Sequence, residues 1–89
     1  MAADPRSKLN DLRKEIDAVD DRLAELLVQR LRAAKEIGAL KQRLGQDIID
    51  SGREAKIIQR LQEKFGQKLG SENVNDLFES IFRISRDVQ

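Results

Sequence analysis

Between Leu9 and Leu44 the apolar residues recur at alternating intervals of three and four: Leu9, Leu12, Ile16, Val19, Leu23 and Leu26, then, after Arg30, Ala33, Ile37, Leu40 and Leu44. This is an a/d heptad seam held for about five heptads, the pattern by which one helix lies along another. Its only glycine, Gly38, sits off the seam, and no proline interrupts it. At ~1.5 Å per residue such a helix is ~55 Å long. A compact globule of this chain length is only about 30 Å across. The short remainder of the chain cannot cover so long a helix, and the plain solution is a second copy lying alongside the first.

Arg30 is the seam's one flaw. A buried guanidinium costs several kcal/mol unless an anion meets it. Arg30 is therefore either a register device or one half of an anion site. Lys41, eleven residues on, points in nearly the same direction as Arg30. Arg13, seventeen residues back, is about 100° round the helix and ~25 Å away along it. Arg13 and Arg30 of one chain cannot hold the same small molecule, so a site using both takes one of them from the partner subunit.

Composition limits the chemistry. Eighty-nine residues make a single domain, marginal for a private core, and the chain is 39% hydrophobic and 37% charged. That balance suits exposed helices with narrow apolar stripes. A net charge of +1 with interspersed signs lacks the basic face of a nucleic-acid binder, and the only aromatics, Phe65, Phe78 and Phe82, sit at helix-core spacing. With neither cysteine nor histidine, disulfides, thiolate chemistry, structural zinc and the commonest general base drop out. No apolar run reaches membrane-spanning length and residues 1–8 lack a signal-peptide core, so a cytoplasmic protein is expected.

Three helices are expected, an all-α fold over residues 1–89. Asp4-Pro5 reads as a cap followed by proline at the first helical position, with Ser7 an alternative start. Helix 1 runs to about Leu44, where Gly45 suits a left-handed stop. Ser51-Gly52-Arg53-Glu54 has capping-box spacing and opens helix 2, which carries Ile57, Ile58, Leu61 and Phe65 on one face and decays between Gly66 and Gly70. Ser71 caps helix 3, with Glu72 favourable in its first turn. Helix 3 buries Val74, Leu77, Phe78, Ile81 and Phe82, with Ile84 and Val88 following. Ser85 interrupts that stripe, and Gln89 follows one turn later on the same side. A buried serine is ordinarily bonded back to its preceding turn. No capping signal follows Gln89, so helix 3 either frays there or continues in a longer polypeptide.

Taken in order, Leu12-Arg13-Lys14-Glu15-Ile16, Asp20, Leu26-Leu27 with Arg30, Glu36-Ile37-Gly38 with Lys41, Asp50, Arg53-Glu54, Ser85 and Gln89 form a spaced series. Singly each is weak, but as an ordered set covering about Leu9 to Gln89 they resemble the all-helical class of chorismate mutase, either standalone or as the mutase domain of a bifunctional shikimate-pathway enzyme. The resemblance implies an intertwined homodimer with two equivalent sites, each lined by all three helices. It implies rearrangement of chorismate to prephenate, in phenylalanine and tyrosine biosynthesis, without cofactor, metal or covalent intermediate. By the same resemblance Arg30 and the partner's Arg13 would clamp the two substrate carboxylates, a task that suits the planar guanidinium fork. Lys41 and Gln89 would donate to the ether oxygen, Glu54 would accept from the ring hydroxyl with the Asp50 region beside it, Arg53 would orient the carboxylates or the substrate, and Ser85 would contact a carboxylate.

Simpler roles stand beside these. Glu54 alone could close the capping box, Arg13 and Lys41 could be solvated flanks of a coiled coil, and Asp50 a loop carboxylate. Two rival functions also stand: an isochorismate–pyruvate lyase of the same fold, and a non-catalytic helical dimerisation or regulatory domain.

Overall fold

The computed structural model describes residues 4–89. Among them it contains three α-helices and no strand: α1 (Pro5–Leu44), α2 (Ser51–Leu69) and α3 (Ser71–Val88). The chain divides into two compact units, Met1–Arg30 and Leu31–Gln89, with α1 running through the division.

α1 is one helix of 40 residues. Asp4 caps it: the Asp4 carboxylate accepts from the Arg6 amide at 3.0 Å, with Pro5 at the first helical position, so the Ser7 start does not occur. At the other end Gly45 has φ +68°, its N–H donates to the Gln42 carbonyl, and the Gln46 N–H donates to the Lys41 carbonyl. This is the Schellman closure, which places glycine at the left-handed position and satisfies two orphan carbonyls.

In the unit Met1–Arg30 the seam is bare. Leu9, Leu12, Ile16, Val19, Leu23 and Leu26 are each 47–60% exposed in the single chain, while Arg30 is half-buried. Past Arg30 the seam stays open at Ile37, Leu40 and Leu44. What is covered there is a second stripe, one position further round: Ala34 and Gly38 are buried, Leu31 and Lys41 half-buried. The two stripes make α1 a helix with two apolar faces at once.

Two expected helix caps are corrected. Asp50, not Ser51, caps α2, its Oδ1 accepting from the Arg53 N–H at 3.0 Å. Its charge adds to its capping geometry at the positive end of the helix. α2 ends at Leu69, inside the expected stretch Gly66–Gly70, and the turn comes at Gly70, φ +91°, whose N–H donates to the Gly66 carbonyl. Gly70 also precedes α3 as its cap residue, so Ser71 is already helical and its hydroxyl is spent on Gln62 Oε1. Gln62 in turn donates to Asn75 Oδ1 at 2.9 Å and to the Ser71 carbonyl at 3.3 Å. This polar clasp fixes the α2–α3 hairpin.

Ile57, Val74 and Phe82 form the buried centre of that hairpin, with Phe78 set edge-on to Phe82 at 6.1 Å between ring centroids. Phe65, Leu77 and Val88, expected inside, remain exposed in the single chain, because the hairpin covers only one side of each helix.

Candidate active site

The unit Leu31–Gln89 holds several of the expected polar residues, each fixed by its own local contact. Lys41, in the last turn of α1, is half-buried and its Nζ donates to the Ile48 carbonyl at 2.7 Å. That bond ties the ammonium to the loop between α1 and α2 and leaves two of its three N–H groups uncommitted to Ile48. One turn back on the same face, Gly38 lies against Gln89: an ideal Cβ placed on Gly38 would fall 2.8 Å from Gln89 Cα. Residues three apart on a helix are neighbours, so the terminal glutamine is seated next to the turn that presents Lys41.

Gln89 is the cap residue of α3, its N–H donating to the Arg86 carbonyl at 3.2 Å. Its Oε1 is buried with no hydrogen-bond partner among the described residues, and the same holds for Arg86 Nε. Unpaired buried polar atoms cost about 1–3 kcal/mol each, so natural proteins keep few of them. One turn before Gln89, Ser85 is buried and its hydroxyl donates back to the Ile81 carbonyl at 2.7 Å. The ordinary local bond expected of a buried serine is therefore present.

Glu54 is freed from capping by Asp50. Its Oε1 instead receives Arg86 Nη2 in an ion pair across the α2–α3 hairpin, with the Glu54 side chain 22% exposed. One carboxylate oxygen is thereby held, while the other can accept from a ligand. Arg86 was not among the residues singled out from the sequence. It is separated from Glu54 by 32 positions, and no local pattern links the two. Only its place next to Ser85 on α3 could have drawn attention to it.

The remaining expected residues are placed less tightly. Asp50 and Arg53 are exposed, and Asp50 is engaged through its cap bond to the Arg53 backbone. Arg13 is exposed and Arg30 half-buried, both in the unit Met1–Arg30. An open groove of about 750 Å³ runs along α2 and α3, edged by Glu54, Phe82, Arg83, Arg86, Asp76 and Glu79. Of the residues expected from the sequence only Glu54 lines it, and its wall mixes both charges. Among the described residues no cluster of carboxylates could hold a metal ion, and no helix is long and apolar enough to cross a membrane.

A family model described as chorismate mutase type II matches residues 12–89. The chain belongs to this family. The match takes in every candidate site residue, from Arg13 on α1 to Gln89 at the end of α3, and agrees with the all-helical architecture. No curated protein and no solved structure matches the chain. Membership in the chorismate mutase type II family implies an isomerase.

Proposed function

We propose that the protein converts chorismate to prephenate, as a homodimer in which each site takes Arg13 from the partner subunit. The reaction is a Claisen rearrangement, in which a carbon–oxygen bond breaks as a carbon–carbon bond forms within one molecule. No proton need move and no covalent adduct is formed, so the work left to the protein is orientation and charge placement. A millionfold acceleration corresponds to ~8 kcal/mol, within reach of a held conformer plus a few charge-assisted hydrogen bonds.

The observation that carries this reading is the family match over residues 12–89. In this reading Arg30 and the partner's Arg13 hold the two carboxylates of the substrate. Lys41 and Gln89 donate to the ether oxygen, where negative charge grows as the bond lengthens. Glu54, steadied by Arg86, accepts from the ring hydroxyl. Asp50 stands beside that hydroxyl, and Arg53 and Ser85 orient the carboxylates. The bare seam on α1 is the surface along which the two chains pair.

Incubating the purified protein separately with chorismate and with isochorismate tests the assignment. The expected result is loss of chorismate with stoichiometric prephenate. Pyruvate from isochorismate without prephenate from chorismate would identify a lyase instead, and no turnover of either would leave a non-catalytic helical domain.

A further inference from the structure

Gly38 is the only glycine within α1, and the helix backbone gives no reason for it. The positive-φ glycines are Gly45 and Gly70, so Gly38 holds a conformation open to any residue. Glycine weakens a helix interior relative to alanine. The reason for a glycine lies across from it, at Gln89.

An ideal Cβ on Gly38 would stand 2.8 Å from Gln89 Cα, 2.8 Å from Gln89 Cβ and 3.0 Å from Gln89 Cγ. Carbon atoms in good contact stay about 3.5–4.0 Å apart. The nearest of these atoms includes the backbone Cα, which no rotamer change can swing aside. Even the smallest side chain at position 38 would therefore push the backbone of Gln89 outward by about 0.5–1 Å. The rest of the helix would be content, since alanine is the better helix former.

We propose that Gly38 is a positioning residue for Gln89. Its missing side chain lets the end of α3 close onto α1 one turn from Lys41, and so sets where the Gln89 amide points. Gly38 itself touches no substrate. The proposal rests on the reading that Gln89 donates to the substrate ether oxygen. A displacement of about 1 Å at such a donor is enough to cost on the order of a hundredfold in rate.

A double-mutant cycle on the full chain tests it, with kcat on chorismate and the thermal midpoint measured for the wild type, Gly38→Ala, Gln89→Ala and the double variant. Gly38→Ala is expected to lower kcat about 10–100-fold, with helix content kept but the melting temperature lowered, because the clash falls on backbone atoms at the end of α3. In the Gln89→Ala background the same substitution is expected to cost less than about threefold. An undiminished kcat in Gly38→Ala, an equal loss in both backgrounds, or a lowered helix content would each overturn the positioning role. Should Gln89→Ala by itself leave kcat intact, the placement of Gln89 in the site fails, and the role of Gly38 falls with it. As a measurement free of any variant, nuclear Overhauser contacts between the Gly38 α-protons and the Gln89 α- and β-protons are expected, and their absence would refute the seat.

Discussion

Leu23 gives the most direct access to the proposed pairing of two chains. It lies on the α1 seam and is 60% exposed in the single chain, the largest value among the seam residues before Arg30. Leu23→Ala removes three carbons, each carrying about 0.8 kcal/mol of burial energy. Scaling by the fraction of Leu23 still exposed leaves ~1.4 kcal/mol to be gained by burial against a partner. A symmetric dimer loses this twice, ~3 kcal/mol, or about 100-fold in dissociation constant. Incomplete collapse of the resulting cavities would enlarge the effect. Alanine is an excellent helix former, so the helix itself should be unharmed. Asp21→Ala, exposed on the opposite side of the heptad, is the control and should leave association unchanged. Sedimentation equilibrium across a concentration series reads both constants. A Leu23→Ala constant within threefold of the wild type, in a protein that does dimerise, would remove the seam as the interface.

Four further outcomes are expected. Arg30→Ala should lower kcat/KM for chorismate by at least a thousandfold, because a charge-assisted fork is lost where no other residue replaces it; sedimentation should still find the dimer. Mixing Arg13→Ala with Arg30→Ala chains should restore part of the activity, since one of the two sites in each mixed dimer then keeps both arginines; verified heterodimers without rescue would refute a shared site. Gln89→Glu should shift the rate optimum toward acid: an ionised carboxylate opposes charge growing on the ether oxygen, whereas its protonated form donates, so kcat should rise as pH falls through the titration of the new carboxyl. Arg86→Met should lower kcat/KM by about 10-fold through a loosened Glu54, with Arg86→Lys recovering part of the loss; identical kinetics for the two variants would mean that the ion pair to Glu54 does not serve the site.

The parts of the fold legible in the sequence were those written as long-range periodicity or as strong local chemistry. The α1 seam, its proline start and its glycine stop are of this kind, and all three helices occur as expected. The helix boundaries that moved did so where two suitable residues compete for one task. Asp50 precedes Ser51, and a carboxylate at a helix N-terminus carries a charge advantage. Gly70 likewise precedes Ser71 and takes the cap position of α3. The second face of α1 left almost no trace, because its buried members are Ala34 and Gly38, too small to register as an apolar stripe. The candidate site divides the same way. Lys41, Glu54, Ser85 and Gln89 could be selected through a family resemblance, whereas Arg86 and the seating of Gln89 on Gly38 depend on which helices meet and at what depth.

The two faces of α1 also separate two kinds of folding event. Leu31, Ala34 and Gly38 are covered within their own polypeptide, so that closure is a first-order process whose rate ignores protein concentration. The seam from Leu9 to Leu26 is exposed in the single chain, and the proposed burial by a second copy would wait on collision. Refolding from dilute denaturant should accordingly separate into an early phase that is the same at every concentration and a later one that quickens as more protein is added, with enzymatic turnover returning only in the second.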